Sequence, residues 1–352
     1  MSKINSRKCP ICGSKEKAIL ISQKFSNDLV HDISSCKKCR FVFVGNTPSQ
    51  NFYNQYYKNM SKYEIERDHV LHEEYFAIFK KYINSNSKIL DIGCSTGHLL
   101  YLLKKEGYMN LDGIDPSPLC KKIAIEKFNI QIITTDIASF KPKKKYDLII
   151  YSMVFEHLEN IKEAVSKART YLSDDGYLFV SVPDAENFYN DFEEPFGEFS
   201  TEHINFFSTH YLFKLMSNFS CVFMETDNKN IYSVWKNSDL SKSIKKYIKV
   251  SNSKMKNIKN VINSCPQKVI VWGAGSLTQR LLNTTNLRKK VLKYVDSDEK
   301  LNGKMLGDIE IISPDNLIKY SEPILISSFR FKEEIIEVIK KMKLTNKIIT
   351  FY

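Results

Sequence analysis

From residue 88 onward the chain alternates short apolar runs with helical stretches, and this alternation limits its fold more than any other feature. Apolar runs stand at 88–92, 111–115, 130–134, 146–151 and 176–182, separated by helical patterns of ordinary length. Such alternation predicts a mostly parallel sheet with helices on both faces. Two further β-like runs, 221–224 and 231–235, can close the sheet, and a second alternating unit occupies 268–352. Ahead of the sheet, residues 17–21 and 41–44 read as short strands. A helix is expected over 64–83, preceded by an aromatic run at 52–63.

With 352 residues the chain is too long for one ordinary core, so two or three domains are expected. Its 43% hydrophobic and 26% charged residues fit a soluble globular protein. No apolar run approaches the roughly 18 residues that span a bilayer, so membrane insertion is not expected. The first residues carry charge with no apolar stretch behind them, so no secretory signal is expected and the location is read as cytoplasmic. The net charge of +12 raises the question of nucleic acid, but the lysines are spread along the chain. Their densest run, 236–259, holds eight lysines against the single acid Asp239 and reads as a solvated helical connector, with phosphate contact as the rival. Nucleic acid is not expected as a partner, and the oligomeric state is not readable.

Four of the eight cysteines form two knuckles, Cys9-Pro10-Ile11-Cys12-Gly13 and Cys36-Lys37-Lys38-Cys39, with 23 residues between them. Two intervening residues let both thiolates of a pair face one ion, and four thiolates make a closed tetrahedral site. This predicts structural Zn2+ on Cys9, Cys12, Cys36 and Cys39, with a redox dithiol as the rival reading. Gly13 suits the turn after the first knuckle, whereas Arg40 stands where a glycine would favour the second. His31, between the knuckles, is expected at the surface rather than as a fifth ligand.

The segment Asp91-Ile92-Gly93-Cys94-Ser95-Thr96-Gly97 ends a strand and opens a helix at 98–106. Glycines let the backbone approach a ligand, and the helix start supplies N–H donors. Asp91 at the mouth of the loop would repel a pyrophosphate but attract the ammonium and sulfonium of S-adenosylmethionine (SAM). Asp115 ends the next strand 22 residues after Gly93, where an acid can accept ribose hydroxyls. Asp136 follows the third strand and can take the adenine amino group or cap its own loop. The cofactor-binding set is therefore Asp91, Gly93, Gly97, Asp115 and Asp136.

Over roughly 85–225 this order of motifs, with Glu156-His157-Leu158 after the fourth strand and a Gly176 turn before Ser181-Val182-Pro183, resembles class I SAM-dependent methyltransferases. Methyl transfer needs an aligned nucleophile that has lost its proton. The base candidate is His203 in Glu202-His203, in a loop on the carboxyl side of the sheet, with Glu202 as its neighbour and His157 as second candidate. A structural, packed role for His203 is the alternative.

The three blocks together resemble nucleotide-sugar C-methyltransferases. That resemblance implies a histidine of the Glu-His motif, here His203, acting beside a sugar ketone. Ser200 and Thr201 stand where that family has a tyrosine, so O-methylation of a sugar in surface polysaccharide biosynthesis stays open beside C-methylation. The expected partner is a small molecule or nucleotide sugar. The rivals are an RNA- or protein-modifying methyltransferase and a non-catalytic scaffold.

The second loop, Gly273-Ala274-Gly275 with Thr278 and Asp296, reads alone as a dinucleotide fingerprint of middling quality. The resemblance instead implies a Rossmann-like unit that supports the substrate side without bound NAD. The expected class is α/β: a doubly wound, SAM-binding Rossmann-like domain, a small N-terminal zinc-binding segment and a second, C-terminal Rossmann-like domain. The expected division is a zinc segment at 1–45, an aromatic lid and helix at 46–84, a methyltransferase domain at 85–237, a basic linker at 238–265 and the C-terminal domain at 266–352.

Overall fold

The computed structural model describes residues 5–25, 29–48, 52–53, 55–56, 70–190 and 194–351. It divides into two compact units, Met1–Ser238 and Asp239–Tyr352.

The first unit opens with β1 (Asn5–Ser6), β2 (Lys17–Lys24), β3 (Val30–Cys36), β4 (Val42–Val44) and β5 (Asn46–Thr47). Strands β2, β3 and β4 form an antiparallel sheet, and β1 pairs with β5. Side chains alternate along β3, so His31 shares the buried face with Ile33. The expectation of a surface His31 is therefore wrong: it is 0% exposed and meets the edge of Phe25, ring centroids 5.0 Å apart. Burial lowers its pKa to about 4, which leaves a neutral ring.

Helix α1 (Val70–Phe79) carries the described part of the helix expected at 64–83; residues 64–69 lie outside the described residues, as does most of the aromatic run. Within that run Tyr53 is 1% exposed and packs with Ile33, Val44, Ile204 and Phe206, so it is a packing residue.

The central sheet follows as β6 (Ile89–Ile92), α2 (His98–Lys105), β7 (Leu111–Asp115), α3 (Pro118–Phe128), β8 (Ile133–Thr134), β9 (Tyr146–Ser152), α4 (Ile161–Tyr171) and β10 (Leu172–Pro183). After β11 (Asn205–Phe206) and α5 (Thr209–Leu215), strands β12 (Ser220–Thr226) and β13 (Asn230–Lys236) close it. The spatial order is β12-β13-β10-β9-β6-β7-β8. The five strands β6 to β10 run parallel, while β13 is antiparallel to both β10 and β12.

Residues Leu148, Ile149, Ile150 and Tyr151 of β9 are all fully buried, as a strand covered on both faces requires. Each such side chain contributes roughly 1.5–3 kcal/mol on burial. The apolar run at 130–134 gives only the two-residue β8. Ile130 and Ile132 instead fill a cluster with Cys94, Leu100 and Cys120, so core packing rather than a ladder accounts for their apolarity. Chain order reverses between β6 and β9, and their carboxyl ends open a crevice there.

The second unit begins with α6 (Leu240–Ser264), whose Asp239 side chain accepts the Lys242 N–H at 3.2 Å as a cap. Only its distal end is anchored, through buried Ile258 and Ile262. Next come β14 (Val269–Trp272), α7 (Ser276–Thr284), β15 (Val291–Val295), β16 (Met305–Leu306), β17 (Ile309–Ile312), β18 (Ile324–Ile326), α8 (Lys332–Lys341) and β19 (Ile348–Ile349). The order β16-β17-β15-β14-β18-β19 is parallel apart from β16. The Ala274 N–H donates to Asp296 Oδ2 at 2.8 Å, and the Asp298 N–H to its Oδ1 at 3.0 Å. Thr278, in place of a third glycine, is buried with its Oγ1 2.7 Å from Ser327 Oγ. Among the described residues no helix is long and apolar enough to cross a membrane.

Candidate functional site

The crevice between β6 and β9 deepens into a cavity of about 1220 Å³. Asp91, Gly93, Asp115 and Asp136 line it, together with Glu156, His157, Glu202 and His203. Seven of the eight side chains and loop positions expected at the cofactor and the base thus share one space. The eighth, Gly97, is absent from that lining. A Cβ there would stand 3.3 Å from Ala124 Cβ, so Gly97, at φ 76°, serves close packing of α2 on α3.

Asp91 is 1% exposed, and its Oδ1 has no hydrogen-bond partner among the described residues. Burial first, and the neighbouring Asp115 charge second, push its pKa up to about 8. A buried, unpaired carboxylate oxygen facing a cavity calls for a cationic donor. Gly93 has φ 71°, and a Cβ there would meet Val154 Cγ2 at 2.7 Å, so this turn packs against Val154 only without a side chain. Ser95 holds the left-handed conformation at φ 48°. Its strained turn is fixed by Asp115, whose Oδ2 accepts the Ser95 N–H at 3.0 Å while Oδ1 accepts the Ser117 N–H at 2.8 Å. Burial raises the Asp115 pKa, against these backbone donors. The Asp136 Oδ1 accepts the Ser139 N–H at 2.7 Å, capping its own loop while lining the cavity.

The opposite wall follows β9. Met153 adopts φ 53° and turns the chain into a 3-10 turn at Phe155–His157. Glu156 is 1% exposed, and neither carboxylate oxygen has a hydrogen-bond partner among the described residues. Burial pushes its pKa up to about 8. Glu156 was missed as a site residue, because its burial and lack of a partner arise from tertiary packing and leave no local mark in the sequence. The His157 Nδ1 lies 3.1 Å from the Glu202 carbonyl, and the His203 Nδ1 lies 3.2 Å from the Glu198 carbonyl. A carbonyl only accepts, so each Nδ1 carries the proton and each Nε2 is the basic nitrogen. The two rings sit 5.1 Å apart. Also missed were His72 and His98, which line the same cavity with their Nδ1 atoms 2.9 Å apart.

The cysteine segment fastens the His203 loop. Strand β11, immediately after it, pairs with β4, and the Val44 N–H donates to the Ile204 carbonyl at 3.0 Å. Buried Arg7 donates to the carbonyls of Ile204 at 2.9 Å and Glu159 at 2.8 Å, and to Asn205 Oδ1 at 2.7 Å. The Tyr211 hydroxyl donates to the Cys39 carbonyl at 2.8 Å. All four sulfurs of Cys9, Cys12, Cys36 and Cys39 lie within 4.8 Å of one another, with the Cys9–Cys39 and Cys12–Cys36 pairs at 3.5 Å. Tetrahedral zinc with ~2.3 Å bonds separates thiolates by about 3.8 Å, so the donor set fits that ion. Gly13 and Arg40 both take positive φ after their knuckles, 76° and 65°, and Arg40 makes the turn without the help of a glycine.

Residues 63–222 match the family model described as a methyltransferase domain, and residues 265–350 match one described as C2185-like, N-terminal. The chain is 28% identical over 145 residues to (S)-tetrahydroprotoberberine N-methyltransferase of Eschscholzia californica, covering 39% of this chain and 41% of the relative. It is 34% identical over 110 residues to malonyl-(acyl-carrier protein) O-methyltransferase of Halalkalibacterium halodurans, covering 29% and 41%. The chain thus spans under half the length of these relatives. A solved structure, the N-methyltransferase NodS from Bradyrhizobium japonicum WM9 with S-adenosyl-l-homocysteine, is similar at TM-score 0.41 and 16% identity, covering 53% of this chain and 97% of that one.

Proposed function

We propose that the protein, whose residues 63–222 match the model of a methyltransferase domain, is a class I SAM-dependent enzyme that transfers a methyl group to a small-molecule acceptor in the cavity between β6 and β9. The observation that carries this reading is the unpaired, buried Asp91 oxygen in the same space as His157 and His203. Asp91 holds the ammonium group of SAM, Asp115 the ribose hydroxyls through its remaining lone pairs, and Asp136 the adenine side. Gly93 lets the backbone close on the cofactor. When bound, SAM supplies an electrophilic methyl group on a sulfonium. His203, with His157 and Glu202 beside it, orients the acceptor and brings about loss of its proton.

Within this class the acceptor we propose is a sugar or nucleotide-linked sugar, methylated on oxygen or carbon. The Glu202-His203 pair on the cavity wall supports it. The cysteine cluster is proposed to hold structural Zn2+, and the C-terminal unit to be a second Rossmann-like domain, supported by its parallel sheet.

The test is release of S-adenosylhomocysteine with a panel of nucleotide sugars, amines and RNA, with product mass measured. A sugar product gaining one methyl group supports the reading, and methylation of RNA alone overturns the acceptor class. Turnover should fall about 10²–10⁴-fold in His203→Ala while SAM binding persists. Near-full activity in that variant removes His203 from the mechanism.

A further inference from the structure

We propose that Glu156, His157 and His203 form a second metal site, for a divalent cation with nitrogen and oxygen ligands, at the acceptor end of the cavity. The proposal rests on the methyl-transfer reading for its role, but on geometry alone for its existence.

One ligand atom from each of the three residues lies within 4.8 Å of the other two, and all three residues line the cavity. The Glu156 Oε1 stands 3.7 Å from His157 Nε2. The independent observation is the carboxyl group itself, which is buried with both oxygens lacking a hydrogen-bond partner among the described residues. Leaving such a group unsatisfied costs roughly 1–3 kcal/mol or more, and a cation between it and two imidazoles removes that cost.

The histidines are arranged as ligands. Each directs Nδ1–H at a backbone carbonyl, His157 at Glu202 and His203 at Glu198. That bond fixes the ring and presents Nε2 as a donor of electrons, the outer-shell arrangement of metal-bound histidine. The carbonyls come from the 198–202 loop, so the metal and the acceptor loop would order together. Two imidazoles and one carboxylate, with no thiolate, suit Mn2+, Fe2+ or Zn2+ and differ in kind from the four-cysteine cluster. Three protein ligands leave coordination positions open to a substrate.

An acceptor hydroxyl in an open position loses its proton to water more readily, because the cation stabilises the anion. The new C–O bond then forms as the S–CH3 bond breaks. The products are a methyl ether, S-adenosylhomocysteine and one released proton. His203 acts as a ligand in this scheme and the proton goes to solvent.

The test uses the full chain loaded with one zinc, freed of excess metal by gel filtration and titrated with Mn2+ by electron paramagnetic resonance. Co2+ spectra identify the ligands, since this site lacks the thiolate charge-transfer bands of a cysteine site. One further equivalent of Mn2+ should bind, at least about 100-fold more weakly in Glu156→Gln and in His203→Ala. Unchanged zinc content and SAM titration show that both variants are folded. No uptake of Mn2+ or Co2+ by the unaltered chain, or uptake equal in both variants, overturns the site. SAM binding without Mn2+ uptake removes the metal and leaves methyl transfer standing. Mn2+ uptake without SAM binding keeps the site and removes the methyl-transfer role.

Discussion

The Arg7 guanidinium donates to the backbone carbonyl of Ile204 at 2.9 Å, joining the segment that carries the cysteines to the residue directly after His203. Three further donations from the same side chain, to Leu158, Glu159 and Asn205, tie together the segments that follow His157 and His203. Burial lowers the Arg7 pKa to about 10, still well above neutrality, so the group stays charged and its bonds are charge-assisted.

Arg7→Ala leaves these acceptors without their donor in a buried place. A loss of about 2–3 kcal/mol in unfolding free energy is expected, with turnover reduced more than SAM affinity. Chemical denaturation and SAM titration of the variant check both parts. A stability equal to that of the unaltered protein would show that water replaces the guanidinium.

Loss of the proposed zinc is predicted to reach beyond the cysteines. Strand β4 follows the second knuckle and pairs with β11, so loosening the knuckle frees the His203 loop. One tightly held zinc per chain is expected, and Cys36→Ser should lose it. Thermal unfolding should then fall and turnover with it, measured by differential scanning calorimetry and S-adenosylhomocysteine release. Full activity in a zinc-free preparation contradicts the structural coupling.

If Asp91 holds the SAM ammonium as proposed, cofactor binding depends on pH. Its folded pKa of about 8 lies above the ordinary 3.8, so the folded protein holds a proton that the unfolded chain has lost between those values. Stability from this group is therefore complete below pH 4 and declines as pH rises toward 8. The SAM ammonium prefers the ionised carboxylate, which burial and the neighbouring Asp115 charge disfavour. Affinity should rise up to about tenfold per pH unit between 6 and 8, then level as the cofactor's own amine deprotonates. Asp91→Asn should bind weakly with no such rise; a flat profile in the unaltered protein contradicts the assignment.

Much of this site was legible because it depends on strand ends. Asp91 and Asp115 stand in or end β6 and β7 in apolar text, and the sheet brings their carboxylates to one crevice whatever the details of packing. His203 was legible as a polar pair in a loop after the fifth parallel strand. Glu156 was not, because its lack of a partner is a property of the tertiary surroundings and has no local signature. His31 could have been placed by strand alternation, since it falls on the face of Ile33; its position between two knuckles suggested solvent instead. Gly97 shares a loop with Gly93, yet α3 decides its role by approaching within contact distance.

The most direct measurement is isothermal titration of SAM into the zinc-replete protein, repeated with Asp91→Ala and Asp115→Ala. Micromolar binding to the unaltered chain, lost in Asp91→Ala and weakened in Asp115→Ala, is the predicted result. No binding to the unaltered chain, or binding indifferent to Asp91, would contradict the assignment of this cavity to SAM.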